Sequence, residues 1–299
     1  MITLFRKNEE FNPAESGIAF SLAVLVPYVV LLLVGTVFFA CGGSAESDVY
    51  TYLVSVAAQL SYLTIILFVA RQKGGLRAFR AGKFHFKYIL VGLLLCYGMI
   101  FGLGYLNELF VGVLTDAGLS YSAVTVPLSG AGQFVLSLFV YALLPAVCEE
   151  LLFRGAVLRG TDFMKIWQIA LLNGLAFALF HQNPAQFVYP LITGSMYALV
   201  ALRAGSALPC ILMHAVNNLL ILILSYFAPD ASLYNAATVV TALICFVAAA
   251  AYLVFFDKKP VYAAEGLEPE TPIAGKYFFL FAAAGAAMCV VAWITSLVR

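Results

Sequence analysis

Across 299 residues the chain is 64% hydrophobic and only 10% charged, with a mean hydropathy of +1.00. Soluble proteins run at about half apolar and a quarter charged, so this composition belongs in lipid, with no room for a soluble domain between the apolar runs. A net charge of +1 without a basic tail excludes nucleic acid as a partner, because binding that backbone needs clustered Lys and Arg.

Crossing a hydrocarbon core of roughly 30 Å takes about 20 apolar residues. Such runs recur at 17–40, 50–70, 88–112, 133–158, 164–181, 186–203, 206–227, 236–256 and 277–298. They predict an all-α, polytopic transmembrane helix bundle of about nine spans (eight to nine), forming a single integral membrane domain over 1–299. The first run continues too long, and without a small-residue cleavage site, to be a removed signal peptide. The cysteines Cys41, Cys96, Cys148, Cys210, Cys245 and Cys289 are scattered through apolar sequence with no paired spacing and read as small hydrophobes.

With the N-terminus cytoplasmic, the inside segments hold Arg6 and Lys7, then Arg71, Lys73, Arg77, Arg80, Lys83 and Lys87, then Arg154, Arg159 and Lys165, then Arg203, then Lys258, Lys259 and Lys276. Only Arg299 falls outside. That asymmetry is what the positive-inside rule demands of a correct span count, and it predicts a multi-pass protein of the cell membrane. The 71–87 loop reads as a topology signal, with Phe79, Phe84 and Phe86 able to meet headgroups. Asn107 and Glu108 form a polar spot in the third span near the outer interface. The Pro- and Glu-bearing stretch 257–276 reads as a linker to a peripheral last helix.

Ionisable groups inside spans are costly and mark function by default. Three patterns carry them: Glu149, Glu150 and Arg154 on the fourth span (EExxxR), Phe177 and His181 ending the fifth (FxxxH), and His214 with Asn218 on the seventh (HxxxN). Glu150 and Arg154, four apart, share a helix face and can pair, whereas Glu149 is turned by about 100°. Glu149 therefore suits a general base facing a poorly solvated cavity, and Glu150 a strut. Pro145, four residues earlier, predicts a kink that widens the bundle beneath the carboxylates. His214 and Asn218 present two hydrogen-bond donors together, as an oxyanion hole does. His181 can hold the water that Glu149 deprotonates. One difficulty is depth: His181 falls near the outer end of its span, Glu149 and His214 nearer the middle and inner half.

In this order on successive helices, separated by 32 and 33 residues between Glu149, His181 and His214, the motifs resemble those of the CPBP (CAAX-processing and bacteriocin-processing, Abi) family of membrane peptidases, similar to type II CAAX prenyl endopeptidases. The resemblance covers a catalytic core over about 133–224. It implies Glu149 and His181 as the water-activating pair, His214 and Asn218 as the oxyanion hole, and Glu150 and Arg154 as support, between spans 4, 5 and 7.

The expected function is an endopeptidase acting on a membrane-associated peptide or protein, lipidated or not, in contact with membrane lipid. The alternative is a non-enzymatic scaffold or bacteriocin self-immunity protein that uses the same pocket to bind. A proton-coupled transporter is disfavoured by the lack of an inverted repeat. Glu149, His181 and His214 also form a two-histidine, one-carboxylate set of the kind zinc hydrolases use, but there is no HExxH and a zinc would take His214 from the oxyanion. The preferred expectation is no cofactor, with zinc the alternative.

Overall fold

The computed structural model describes residues 10–119, 125–229, 234–257 and 272–297, and these contain helices and no strands. In chain order the main helices are α1 Pro13–Ala40, α2 Asp48–Lys73, α3 Lys87–Asp116, α4 Ala131–Thr161, α5 Ile166–Phe180, α6 Val188–Ala204, α7 Leu208–Phe227, α8 Ala236–Phe256 and α9 Pro272–Leu297. Eight of these segments are long and apolar enough to cross a membrane, and α5 is the shorter one. This is the bundle of eight to nine spans that hydropathy predicts. Arg6, Lys7, Arg299 and residues 258–271 of the expected linker lie outside the described residues.

Local sequence sets the helix ends. Asn12 caps α1, its side chain accepting the Glu15 N–H while Glu15 returns a bond to the Asn12 N–H, with Pro13 in the first turn. Ser47 and Asn235 cap α2 and α8 in the same way. Gly74 closes α2 in the left-handed region (φ +87°), where a side chain would be strained.

The middle of α4 is wound loosely, as π-helix over Leu138–Leu143 and again over Leu151–Val157. Pro145 has no N–H to offer the Tyr141 carbonyl four residues back. The distortion expected at Pro145 thus takes the form of a π-wound turn just before it.

Contacts between loops divide the bundle into two ends. At one, the Arg80 carbonyl accepts the Ala207 N–H, Ser206 donates to the Gly82 carbonyl at 2.8 Å, and Asp257 pairs with Lys87 at 3.0 Å. Lys73 and Glu15 form a fully buried pair there. At the other, Tyr52 donates to the Pro127 carbonyl, Gln133 donates to Asp48 at 2.6 Å, and Phe187 packs on Trp293. The chain alternates between these ends as a multi-pass protein must.

Two helix pairs approach through glycine. A Cβ at Gly174 of α5 would collide with Ser195 and lie 2.5 Å from the Leu191 carbonyl of α6. α9 lies chiefly along α1, where a Cβ at Gly17 would strike the Phe278 backbone, and it lines neither of the cavities described below.

Candidate active site

A cavity of about 760 Å³ lies among α2, α3, α4, α6 and α7, with the end of α5 in its wall. Glu149, His181, His214 and Asn218 all line it, whereas Glu150 and Arg154 stand behind its wall. The depth difficulty resolves in the length of α5. Its 15 residues rise only about 22 Å, short of the hydrocarbon thickness, so His181 stops within the bundle. The Arg159–Thr161 turn that leads toward α5 is itself buried, with Ser16 of α1 accepting from the Gly160 N–H and donating to the Ala156 carbonyl. Beyond His181 the chain folds back irregularly through residues 182–187 beside the cavity, backbone that is tolerated at membrane depth only where protein or a cavity surrounds it.

Behind the wall is an ionic cluster with almost no exposure. Glu150 Oε1 accepts both from Arg154 Nη1 at 3.0 Å and from His214 Nδ1 at 2.9 Å. Arg154 donates in addition to the Gly194 carbonyl at 2.9 Å and lies over the rings of Phe177 and Tyr197, at 4.6 and 5.4 Å from their centroids. The pairing of Glu150 with Arg154 is the one the i,i+4 spacing predicts. The bond to His214 was not legible in the sequence, because it joins residues 64 positions apart. It fixes the imidazole with Nδ1 on the carboxylate, leaving Nε2 as the nitrogen for the cavity.

On the cavity side the groups are held more loosely. Glu149 is 8% exposed, and its Oε1 accepts from Gln59 Nε2 of α2 at 3.2 Å. Gln59 Oε1 has no protein partner. His181 Nδ1 sits 2.8 Å from the Phe177 carbonyl, which makes it the protonated nitrogen and frees Nε2 to accept from water. Phe177 separates the two histidines, its ring centroid 4.7 Å from His181 and 6.2 Å from His214.

Asn218 has a second occupation. Its Nδ2 donates at 3.0 Å to the Tyr141 carbonyl, to which Pro145 can offer no N–H, and its Oδ1 accepts from Asn217, which is held by Tyr189. One amide hydrogen of Asn218 remains for a ligand. Sequence reading missed Gln59, Asn217 and Tyr189. Gln59 and Asn217 were accessible to the same rule that found the ionisable residues, had it been extended to every buried polar side chain in a span.

Among the described residues, no group of three His, Cys, Asp or Glu side chains converges to hold a metal ion. The Nδ1 atoms of both histidines already face protein acceptors.

Residues 131–220 match the family of type II CAAX prenyl endopeptidases, Rce1-like. The matched segment contains all three motifs and bears out the family resemblance drawn from them. No curated protein and no solved structure matches the chain.

Proposed function

We propose that this membrane protein, which over residues 131–220 belongs to the type II CAAX prenyl endopeptidase family, is a membrane-embedded endopeptidase that hydrolyses a peptide bond in a membrane-associated peptide or protein by means of a glutamate-activated water. The reading rests on one observation above all: three motifs distant in sequence contribute Glu149, His181, His214 and Asn218 to a single cavity.

A water between Glu149 and His181 donates one hydrogen to His181 Nε2 and loses the other to the Glu149 carboxylate as its oxygen attacks the scissile carbonyl carbon. The carbonyl π electrons move to oxygen. When protonated on both nitrogens, His214 donates to that oxyanion from Nε2, its Nδ1–H resting on Glu150, and the free amide hydrogen of Asn218 makes the second contact. With such an imidazolium the charges of Glu149, Glu150, Arg154 and His214 sum to zero. Collapse of the intermediate breaks the C–N bond, and Glu149 returns its proton to the leaving nitrogen.

The proposed reaction uses no metal, a reading supported by the lack, among the described residues, of three His, Cys, Asp or Glu side chains grouped to hold one. Elemental analysis of the purified protein, with activity measured before and after chelation, tests this. Stoichiometric zinc whose loss and return switch activity off and on would overturn it. Peptidase action is tested by incubating membrane proteins with wild type and with Glu149→Gln and sequencing the new chain termini. New termini with wild type alone are expected. Equal products from both would sink the assignment, and tight peptide binding without products from either would favour the scaffold or immunity reading.

A further inference from the structure

The basic and the catalytic ends of this molecule do not coincide. We infer that the catalytic cavity opens on the extracytoplasmic side, so that its substrates are peptide or protein segments presented from outside the cytoplasm; the inference rests on the peptidase reading for its substrate and on the cavity lining and the placement of Lys and Arg for its direction.

Consider first where the cavity walls lie. Beyond the catalytic groups, its lining runs to Val126, Ala185, Gln186 and Tyr234. All four belong to connections at one end of the bundle, before α4, between α5 and α6, and before α8. A second cavity of about 500 Å³ shares Glu108, Tyr189 and Tyr234 with it and continues to Ala228 and Pro229 at the same end. No lining residue comes from residues 74–86, 158–165, 203–207 or 257 at the other end.

That other end is closed. The Ser206 and Ala207 bonds to the 80–82 backbone lock two of its loops together, and Tyr88 ties a third, its single hydroxyl hydrogen shared between the Arg203 carbonyl and Asp257. Directly beneath Glu149, the residues Leu152, Phe153 and Arg154 have no exposure. A chain segment approaching from there meets packed protein.

Charge supplies the sidedness independently. Arg71, Arg77, Arg80, Lys83, Lys87, Arg159, Lys165 and Arg203 belong to the closed end, whereas residues 41–70, 88–153, 166–202 and 204–257 contain no Lys or Arg. At the open end stand Glu46, Asp48 and Asp116, with Glu108 in the cavity wall. Cytoplasmic loops carry the Lys and Arg excess, so the closed end is the cytoplasmic one.

The protein holds its own probe: Cys41, the exposed cysteine at the end of α1, lies at the open end. In intact cells a membrane-impermeant maleimide should label Cys41 of the full chain as completely as after permeabilisation. In a Cys41→Ser background, Ala185→Cys should behave the same way, and Lys83→Cys should label only after permeabilisation. Labelling of Lys83→Cys in intact cells, with Cys41 protected until the membrane is opened, would overturn the inference. Purified Ala185→Cys protein then separates direction from chemistry. A bulky maleimide there should abolish cleavage that the unmodified variant performs, and cleavage continuing at the original rate would overturn this mouth as the route. An unmodified enzyme that cleaves nothing would count against the peptidase reading, and the labelling pattern would still decide the sidedness.

Discussion

Glu149 and Glu150 are neighbours on one helix and occupy two different physical environments. Glu150 has no exposure, and a single oxygen of it receives an arginine and a histidine. Glu149 has one long bond, from Gln59, and otherwise faces the cavity. A buried charge stripped of one partner costs far more than a charge beside a cavity that loses a neutral hydrogen bond. The difference teaches that this site is built in two layers: a fixed ionic layer that sets the position of His214, and a free layer that faces the cavity. Mutations should therefore separate stability from rate according to layer.

The largest expected effect lies in the fixed layer. Arg154→Leu leaves Glu150 buried beside one histidine and should destabilise the protein by about 3–5 kcal/mol, measured as thermal unfolding in detergent. Glu149→Gln should bring hydrolysis to background while changing stability by no more than about 1 kcal/mol, the scale of one neutral hydrogen bond. Equal destabilisation by the two variants would break the distinction between layers.

Asn218 belongs to both layers and sharpens the contrast. Asn218→Ala should lower kcat by about 10²–10³, the usual cost of one oxyanion donor, and should also destabilise by removing the side-chain bond to the Tyr141 carbonyl. Pro145→Ala restores a backbone N–H four residues after Tyr141. Added to Asn218→Ala it should recover stability, with a coupling of about 0.5–3 kcal/mol in a double-mutant cycle, and leave the rate where it was. Recovery of rate as well would mean that Asn218 acts only through the backbone.

Gln59→Leu removes the one hydrogen bond to the free carboxylate, and kcat should fall by about fivefold with stability nearly unchanged, as a bond of about 1 kcal/mol predicts. No change in rate would leave Gln59 a packing residue.

The smallest effect is at the Lys87–Asp257 end, away from the cavity. Burial alone would raise the Asp257 carboxyl, but the hydrogen bonds from Lys87 and Tyr88 outweigh it and hold the group below the usual carboxylate range. A depressed carboxyl contributes stability that is present above the unfolded value of about 3.9 and is lost as pH falls through the folded value. Wild type should therefore lose more stability than Asp257→Asn between pH 6 and pH 3, read as the shift in Tm of each, with activity at neutral pH unaffected.

Much of this was legible from residue type and spacing. Glu149, His181, His214 and Asn218 stood out because charged and polar groups inside spans are expensive, and the Glu150–Arg154 pair followed from helical periodicity. The bond from Glu150 to His214 was not legible, because it depends on how α4 and α7 meet. Nor was the role of Asn218 toward Tyr141, which arises only when the proline distortion and α7 fall at one depth. Hydropathy also stretched the fifth span by three residues, and those residues produced the mismatch in depth that the short α5 removes.

The close crossing of α5 and α6 at Gly174 and Gly194 has a consequence for how the pocket accommodates a guest. Gly174 packs against the α6 backbone there, Ser195 is tied to its own helix through the Leu191 carbonyl, and Arg154 holds the Gly194 carbonyl. These two helices form an anvil that does not yield. Any breathing that admits a bulky chain falls to the opposite wall, where α2 meets α4 through tyrosine and serine hydroxyls that can exchange partners without cost to the helical ladders.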